Sequence, residues 1–173
     1  PLYEHVADLA GRDPGRLPLP MVNVLSGGLH AGGEGVEIQD FLVVPAGAAS
    51  YPEALETVHA VRAAARERIV DAGERPLVAD EGGFAPPLDS VEDAFEVLAG
   101  AARDAGHEPS RDDVAFAVDV AATHFYDADA DVYRLSSLDR TLDREGMIEM
   151  VAGWVDDYPL VSVEDPLAED DWD

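Results

Sequence analysis

Short apolar runs alternate with longer helical patterns along most of this chain. Five runs are almost continuously apolar: Met21 to Leu25, Phe41 to Val44, Leu77 to Ala79, Val114 to Ala122 and Leu160 to Val163. Continuous apolar runs of this length are typical of strands that are buried on both faces. The alternation of such strands with helices predicts an α/β fold.

Three helices are predicted from apolar residues that recur every three or four positions. The first helix begins at the capping box of Ser50 and Glu53 and stops at Gly73. The second begins at the capping residue Ser90 and ends at Gly106, and the third runs from about Asp143 to Val155. The predicted inward-facing residues are Ala54, Val58, Val61, Ala65 and Ile69 in the first helix, Val91, Ala94, Phe95, Leu98 and Ala102 in the second, and Met147, Ile148, Val151 and Val155 in the third.

The order of these elements favours a barrel over an open sheet. Two apolar runs precede the first long helix, as in a barrel that opens strand-strand-helix-helix, whereas a doubly wound sheet fits this order less naturally. Residues 12–20 are rich in Pro, Gly and Arg, which predicts a linker or loop. We therefore expect an N-terminal helix or linker over residues 1–20 and a barrel domain over residues 21–173.

The charge of the chain is strongly negative. There are 37 acidic residues against 11 basic ones, a formal net charge of −26, and every basic residue is Arg. Nucleic acids and anionic membranes bind basic surfaces, so neither is an expected partner. Because the acids are spread over the whole chain, a surface adapted to high salt is favoured over a cation-binding role. This predicts a cytoplasmic protein from a halophilic archaeon.

The absence of Cys and of long apolar runs further narrows the possible classes of protein. The chain contains no Cys, which excludes disulfides, thiolate metal sites and thiol nucleophiles within these 173 residues. No apolar run approaches 18 residues, so no membrane-spanning helix is predicted.

Acidic residues finish three of the apolar runs. Asp80 and Glu81 follow the third run, Asp119 comes late in the fourth, and Glu164 and Asp165 follow the fifth. Ligands of parallel α/β folds bind beyond the carboxyl ends of the strands. Acids gathered there repel one another unless a divalent cation neutralises them, and hard oxygen ligands suit Mg²⁺. The alternative is that each acid only caps the next turn.

Two further segments contain residue types that are typical of binding loops. Asp127, Asp129 and Asp131 resemble the start of a calcium loop, but Val132 stands where Gly is required and Leu138 where Glu is required, so an exposed acidic turn is predicted. The glycine-rich segment 26–33 fits neither a dinucleotide fingerprint nor a P-loop. It predicts a loop that can fold closely over a ligand.

Five strings, in order, resemble segments of the enolase family. They are MVNVLSGGLHAGG from Met21, IQDFLVVPAGA from Ile38, VADEGGFAP from Val78, AVDVAA from Ala117 and VSVEDPLAEDDW from Val161. Together they cover nearly the whole chain, from about Leu17 to Asp173. The resemblance implies a partial TIM-type barrel, covering the first half of the catalytic barrel domain of an enolase.

The resemblance also implies an activity, the Mg²⁺-dependent, reversible dehydration of 2-phosphoglycerate to phosphoenolpyruvate, and therefore a small phosphorylated substrate. It implies roles for six residues: Glu81 as the general acid, Asp119 and Glu164 as two of three carboxylate ligands of Mg²⁺, His30 as a contact to the substrate phosphate, and Gln39 and Asp40 as residues that line the cavity and support Glu81.

Several departures from the family pattern keep other functions open. Asp40 stands where the family has Glu, the loop between His30 and Asp40 is one residue longer, and Ser26 replaces an Asn. The chain has no Lys to serve as the family's base, and the third metal-binding Asp lies beyond Asp173 in the family. The alternatives are a non-catalytic enolase-like binding or scaffold protein, and a sister dehydratase or ammonia lyase of the same superfamily.

The length of the chain bears on its behaviour. A complete (β/α)₈ barrel takes about 250 residues, so these residues supply about the first four barrel strands and we expect them to be inactive alone. An open half-barrel exposes strand edges and apolar faces. We therefore expect a homo-oligomer, a dimer or larger.

Overall fold

The computed structural model describes residues 1–15, 17–32 and 35–172. Arg16 of the predicted linker, Gly33 and Glu34 of the glycine-rich loop, and Asp173 at the end of the enolase resemblance lie outside the described residues. The helices are α1 (Leu2–Ala10), α2 (Tyr51–Asp71), α3 (Val91–Asp104) and α4 (Arg144–Asp157). The strands are β1 (Val22–Ser26), β2 (Asp40–Pro45), β3 (Val114–Asp119), β4 (Tyr126–Asp127), β5 (Val132–Leu135), β6 (Arg140–Leu142) and β7 (Leu160–Glu164).

The main sheet has the strand order β1-β2-β3-β7. Strand β2 runs antiparallel to both β1 and β3, whereas β3 and β7 are parallel. A small antiparallel sheet of β4, β5 and β6 is inserted between β3 and α4. The predicted strand-strand-helix-helix opening is confirmed, and the α/β fold class with an incomplete TIM-type barrel is confirmed with it.

Helices α2 and α3 pack together against the main sheet, with Phe95 of α3 at the centre of the core. The Phe95 ring lies 5.4 Å from Phe41 and 6.5 Å from Phe116 between ring centroids, and 6.1 Å from Trp154 and 4.6 Å from Tyr158. Each such aromatic pair contributes about 0.5–1.5 kcal/mol of stability beyond that from burying its apolar area. All the inward-facing residues predicted for α2 and α3 are buried, and Ser50 and Ser90 cap these helices as predicted.

The predicted strand at Leu77 to Ala79 is wrong. Leu77 and Val78 are each 60% exposed, and Val78 forms only an isolated bridge to Phe84. The buried residue of this segment is Phe84, 2% exposed, which lies beneath the Arg62 guanidinium at 4.2 Å. The run is too short to extend a strand because the backbone turns back at once, with the Ala79 N–H donating to the Gly83 carbonyl at 2.8 Å.

The predicted inward face of α4 is also partly wrong. Ile148 is 51% exposed, and Trp154, which the pattern did not select, is 3% exposed. Met147, Val151 and Trp154 follow one another by four and three residues, so they share one helix face, whereas Ile148 is rotated about 100° from Met147.

The exposed acidic turn predicted around Asp127 is confirmed. One Asp127 carboxylate oxygen accepts hydrogen bonds from the backbone of Asp129 at 3.1 Å and of Ala130 at 3.2 Å. The other accepts from the Arg134 guanidinium at 2.7 and 2.9 Å, and this hydrogen bond is the main reason why the pKa of Asp127 is lowered. The turn is thus satisfied by its own backbone and by one Arg.

The N-terminal segment contributes little to the hydrophobic core. In α1 only Ala7 is buried, while Leu2 and Leu9 are 78% and 77% exposed. The described residues between α1 and β1 form no helix or strand. The division of the chain at residue 20 stays a prediction. Among the helices that the structure describes, none combines the length and the apolar character needed to cross a membrane.

Candidate functional site

A row of polar residues crosses one edge of the main sheet. Ser26 pairs with Asp40, Asp40 with Asp119, and Asp119 with Glu164, as direct cross-strand partners. Ser26, Asp119 and Glu164 end their strands, whereas Asp40 begins β2 and reaches the same edge because β2 is antiparallel. Direct partners on neighbouring strands carry their side chains on the same face of a sheet. These four residues are called the polar row below.

Asp40 is the buried centre of this row, with 3% of its surface exposed. One carboxylate oxygen accepts hydrogen bonds from the Ser26 hydroxyl at 2.7 Å and from the Asn23 side-chain amide. The other oxygen lies 3.1 Å from Nδ1 of His30. An ionised carboxylate only accepts, so this contact places the imidazole proton on Nδ1. The Asp that replaces the family's Glu therefore does reach His30, with Ser26 as one of its donors.

Glu81 reaches the polar row through a turn rather than through a strand end. The turn is tied to β1 because the Phe84 N–H donates to the Val24 carbonyl and the Ser26 N–H donates to the Phe84 carbonyl, both at 2.8 Å. A ring nitrogen of His30 and one carboxylate oxygen each of Asp40 and Glu81 lie within 4.8 Å of one another. Glu81 itself is exposed. The structure thus brings together His30, Asp40 and Glu81, and their roles stay predictions.

Gly83 allows this turn to lie directly against the polar side chains of β1. A Cβ atom at position 83 would stand 2.5 Å from the Ser26 hydroxyl oxygen and 2.7 Å from the Asn23 side-chain oxygen. Real Cβ atoms do not approach other atoms so closely, so a residue with a side chain would displace the turn. On the outer side, the Arg62 guanidinium donates to the Gly82 carbonyl at 2.8 Å and holds the turn from α2.

Asp119 and Glu164 form the other half of the row. The Gln39 amide donates to one Asp119 oxygen at 2.9 Å, and the Ala121 N–H donates to the other at 3.0 Å. Burial is the largest cause that raises the pKa of Asp119, and the negative charge of Asp40 adds to it. The pKa of Glu164 is raised chiefly by the charge of Asp119.

The donor set of this pair fits a hard divalent cation. Asp119 and Glu164 are adjacent in the sheet, and the charge of Asp119 raises the pKa of Glu164, so a cation between the two carboxylates would stabilise them. Gln39 orients one oxygen of Asp119 and the Ala121 N–H orients the other. In the part of the chain that the structure describes, His30, Asp40 and Glu81 are the group of three side chains whose ligand atoms are close enough to hold a metal ion, and the Asp119–Glu164 pair is not part of it.

The loop that carries His30 is held at its base. His30 lies on a 3₁₀ turn, Gly28–Ala31, and the Gly27 and Gly28 N–H groups donate to the carbonyls of Gln39 and Val36 at 2.8 Å. The Glu37 carboxylate accepts hydrogen bonds from Ser137, from its N–H at 2.8 Å and its hydroxyl at 2.5 Å. This Glu37–Ser137 contact joins the loop to the small sheet.

Sequence patterns did not reveal four of these contributors: Asn23, Arg62, Glu37 and Ser137. Asn23 carried a signal, since it is the polar residue within the apolar run 21–25. The other three are surface residue types whose partners lie 20 or 100 positions away in the chain, so no local pattern could show them.

Comparisons with known proteins identify the family to which the chain is similar. Residues 15–173 match the family model described as enolase, C-terminal TIM barrel domain. The chain is 40% identical over 176 aligned residues to "Enolase 2" of Pseudomonas syringae pv. syringae (strain B728a), covering 99% of this chain and 39% of that relative. The same values hold for "Enolase 2" of Pseudomonas syringae pv. tomato (strain ATCC BAA-871 / DC3000).

The aligned ranges show which part of an enolase chain these residues correspond to. This chain spans 39% of the length of the two curated relatives and matches the barrel domain model over nearly all of its own length. Both relatives are bacterial, so an archaeal source stays a prediction. The chain belongs to the enolase family, within the part that forms the C-terminal barrel domain.

Proposed function

We propose that this chain is part of an enolase-type carbon–oxygen lyase, a phosphopyruvate hydratase of glycolysis and gluconeogenesis. Its reaction is the reversible, Mg²⁺-dependent dehydration of 2-phosphoglycerate to phosphoenolpyruvate. The observation that supports the proposal most is the polar row with Glu81 and His30 beside it, which places four acids and one imidazole at one edge of the sheet. The acid-rich surface extends the proposal to a halophilic archaeal source and a cytoplasmic location.

Asp119 and Glu164 would hold the cation. Removing a proton from a carbon beside a carboxylate creates a dianionic centre, and bound Mg²⁺ supplies the charge that stabilises it. Gln39, whose amide donates to Asp119, would keep that ligand oriented. The chain contains no Lys, so a Lys base of the enolase kind would come from outside these 173 residues.

Glu81 would act as the general acid. Hydroxide is a poor leaving group, so the C–O bond breaks as the Glu81 carboxylic acid passes its proton to the departing oxygen, which leaves as water. The exposed position of Glu81 gives a substrate access to it, and the Asp40 carboxylate lies beside it. His30, on the glycine-bearing loop, would contact the phosphate.

The second candidate function is a non-catalytic enolase-like binding or scaffold protein, and the third is a sister dehydratase of the same superfamily. The network around Asp40 favours catalysis. Burying a carboxylate is costly unless donors satisfy it, and here Ser26, Asn23 and His30 all serve one Asp. A surface that only binds a partner does not require such a buried charge beside a second, exposed acid.

The test is a Mg²⁺ titration by calorimetry in concentrated KCl, with and without 2-phosphoglycerate. The parent chain is compared with Asp119→Ala, Glu164→Ala and, as a matched acidic control in the exposed turn, Asp129→Ala. The proposal predicts heat of binding that Asp119→Ala and Glu164→Ala abolish and Asp129→Ala retains. Equal loss in all three variants would indicate unspecific binding to the acidic surface, and would contradict a metal site at the polar row.

A second test uses the full-length gene product. Glu81→Gln removes the transferable proton and keeps the shape of the side chain. We expect the turnover rate to fall by about 10²–10⁴-fold, the usual contribution of a general acid. Dehydration at an unchanged rate in this variant would exclude Glu81 as the acid.

A further inference from the structure

The guanidinium of Arg62, on α2, is directed at the turn that carries Glu81. It donates a hydrogen bond to the Gly82 carbonyl at 2.8 Å, and its central carbon lies 4.2 Å from the centroid of the Phe84 ring. No carboxylate that the structure describes forms an ion pair with Arg62. This cation therefore contacts the first and the third residue after Glu81.

Gly82 has no other hydrogen bond to a residue outside the turn, among the residues that the structure describes. Its N–H donates to the Ala79 carbonyl at 3.0 Å, within the turn itself. Its φ of +88° is a backbone conformation that Gly adopts freely. The Glu81 side chain is exposed, so packing does not hold it either. The hydrogen bond from Arg62 is thus what ties this part of the turn to a helix.

Phe84 gives Arg62 a fixed surface to rest on. Its ring is 2% exposed, and its backbone is joined to Val24 and Ser26 of β1 by two hydrogen bonds of 2.8 Å. A guanidinium is planar, so it can lie on an aromatic face while its N–H groups donate in its own plane. Contact with Phe84 therefore fixes the direction in which Arg62 donates, and with it the position of the Gly82 carbonyl.

Catalysis by a general acid depends on the position of the acid. The acid must lie about 2.6–3.2 Å from the atom that receives its proton, and a displacement of about 1 Å can cost about 10²-fold in rate. Glu81 lies on a tight turn rather than on a helix or strand, so the contacts of that turn set its place. Arg62 supplies one contact from the outer side, and Gly83 supplies another by its close approach to β1.

We propose that Arg62 is a positioning residue for Glu81, which it holds, through Gly82 and Phe84, where the acid meets the leaving hydroxyl. Arg62 acts through the turn and not through contact with the substrate. The proposed cation ligands and His30 lie on other elements, so loss of Arg62 should slow proton transfer and leave substrate binding nearly unchanged. This inference rests on the proposed function, since Glu81 serves as an acid in that reaction.

The experiment compares Arg62→Ala with Arg66→Ala in the full-length protein. Arg66 is a matched control because it lies one turn further along α2 and pairs with the exposed Glu67 at 2.7 Å. We expect Arg62→Ala to lower kcat for 2-phosphoglycerate by roughly 10–100-fold, with KM changed by less than about twofold. Arg66→Ala should keep both constants within about twofold of the parent. Arg62→Lys keeps a charged donor without the planar fork, so its loss should be intermediate.

A second pair of variants shows whether Arg62 acts through Glu81. Arg62→Ala is made in the parent and in Glu81→Gln, where no carboxylic acid is left to position. We expect the full effect in the parent and a further loss of less than about twofold in Glu81→Gln. An equal factor in both backgrounds would mean general damage to the protein and would overturn the proposal. So would a parental kcat in Arg62→Ala, or equal losses in Arg62→Ala and Arg66→Ala.

Amide hydrogen exchange separates this inference from the proposed function and guards against misfolded variants. If Arg62 holds the turn, exchange of the Gly82 N–H becomes faster in Arg62→Ala and not in Arg66→Ala, while α3 keeps its parental exchange rates. A parent that shows this pattern but does not dehydrate 2-phosphoglycerate would remove the lyase assignment and leave Arg62 as the residue that holds the turn. An active parent with unchanged Gly82 exchange in Arg62→Ala would overturn the positioning role alone.

Discussion

Asp119 and Glu164 are cross-strand partners at the ends of the parallel strands β3 and β7. Two carboxylates therefore occupy neighbouring positions, and Asp40 extends the series on the other side of Asp119. The charge of Asp119 is the largest cause that raises the pKa of Glu164, and burial is the largest that raises the pKa of Asp119. The pairing thus stores a repulsion that protonation or a cation relieves.

The first prediction concerns the pH dependence of stability without metal. Because both pKa values are raised above 3.8 and 4.5, the folded chain binds these protons more tightly than the unfolded chain. Stability from the pair is therefore highest below the ordinary values and is lost as pH rises through the raised ones. Urea unfolding of the parent and of Glu164→Gln, measured across this range, should show a shallower loss of stability in the variant.

Glu164→Gln should also raise the free energy of unfolding at neutral pH, by roughly 0.5–1 kcal/mol, the scale of one like-charge contact near a surface. Comparing variant with parent is essential, since Asp113 and Asp127 have lowered pKa values and contribute with the opposite sign. Added Mg²⁺ should stabilise the parent more than the variant. A variant that loses stability as steeply as the parent would contradict this account.

The second prediction tests the close approach of the Glu81 turn to β1. Gly83→Ala puts a methyl group where Ser26 and Asn23 already lie, so we expect a loss of about 1–3 kcal/mol in unfolding free energy. Gly153→Ala is the control. A Cβ at Gly153, within α4, meets nothing within 4 Å, and Ala favours a helix by about 0.5–1 kcal/mol. Equal effects of the two substitutions in chemical denaturation would refute the close approach.

The third prediction concerns the Glu37–Ser137 contact. Glu37→Ala removes both hydrogen bonds from Ser137 and should weaken the base of the His30 loop by about 1.5–3 kcal/mol of local stability. Amide hydrogen exchange of Gly27 and Gly28, whose N–H groups donate within the loop, should become faster. Glu37→Gln keeps an acceptor and should change exchange less.

Exchange across α3 is the internal reference for this experiment, since its buried core is independent of Glu37. Faster exchange in both places would mean global destabilisation. Unchanged exchange of the loop amides would show that the small sheet does not hold the His30 loop.

The fourth prediction is that the chain forms homo-oligomers, a dimer or larger. Among the described residues β7 pairs only with β3, and its Val161 is 48% exposed, while Leu77 and Val78 are each 60% exposed. Free strand edges and apolar surface favour association. Light scattering near neutral pH in high salt should report at least twice the 18.4 kDa of one chain, and a monomer would refute the prediction.

The sequence was a good guide wherever local periodicity decides the outcome. The inward faces of α2 and α3 and their serine caps follow from spacing and capping chemistry alone. It was a poor guide to pairing. Nothing near Asp40 shows that β2 runs antiparallel, although this direction alone brings the first residue of β2 beside the last residues of β1 and β3.

The same limit explains the error at Leu77 to Ala79. A short apolar run predicts a strand, but the partner of this segment is β1, contacted through Phe84 rather than through the run itself. Which of two nearby apolar residues is buried depends on where the turn at Asp80 to Gly83 folds back. That geometry depends on Arg62 and Asn23, which are distant in the sequence.

The pairing of Ser26 with Asp40 also determines how freely the length of the loop between them can change during evolution. The two residues are fixed to each other across β1 and β2, so the segment between them starts and finishes at anchored points. Adding a residue to a closed segment of this size alters its closure entropy by only a small fraction of a kcal/mol. The length of the His30 loop can therefore drift between homologues without moving the acid at its far end, so selection can tune loop and acid separately.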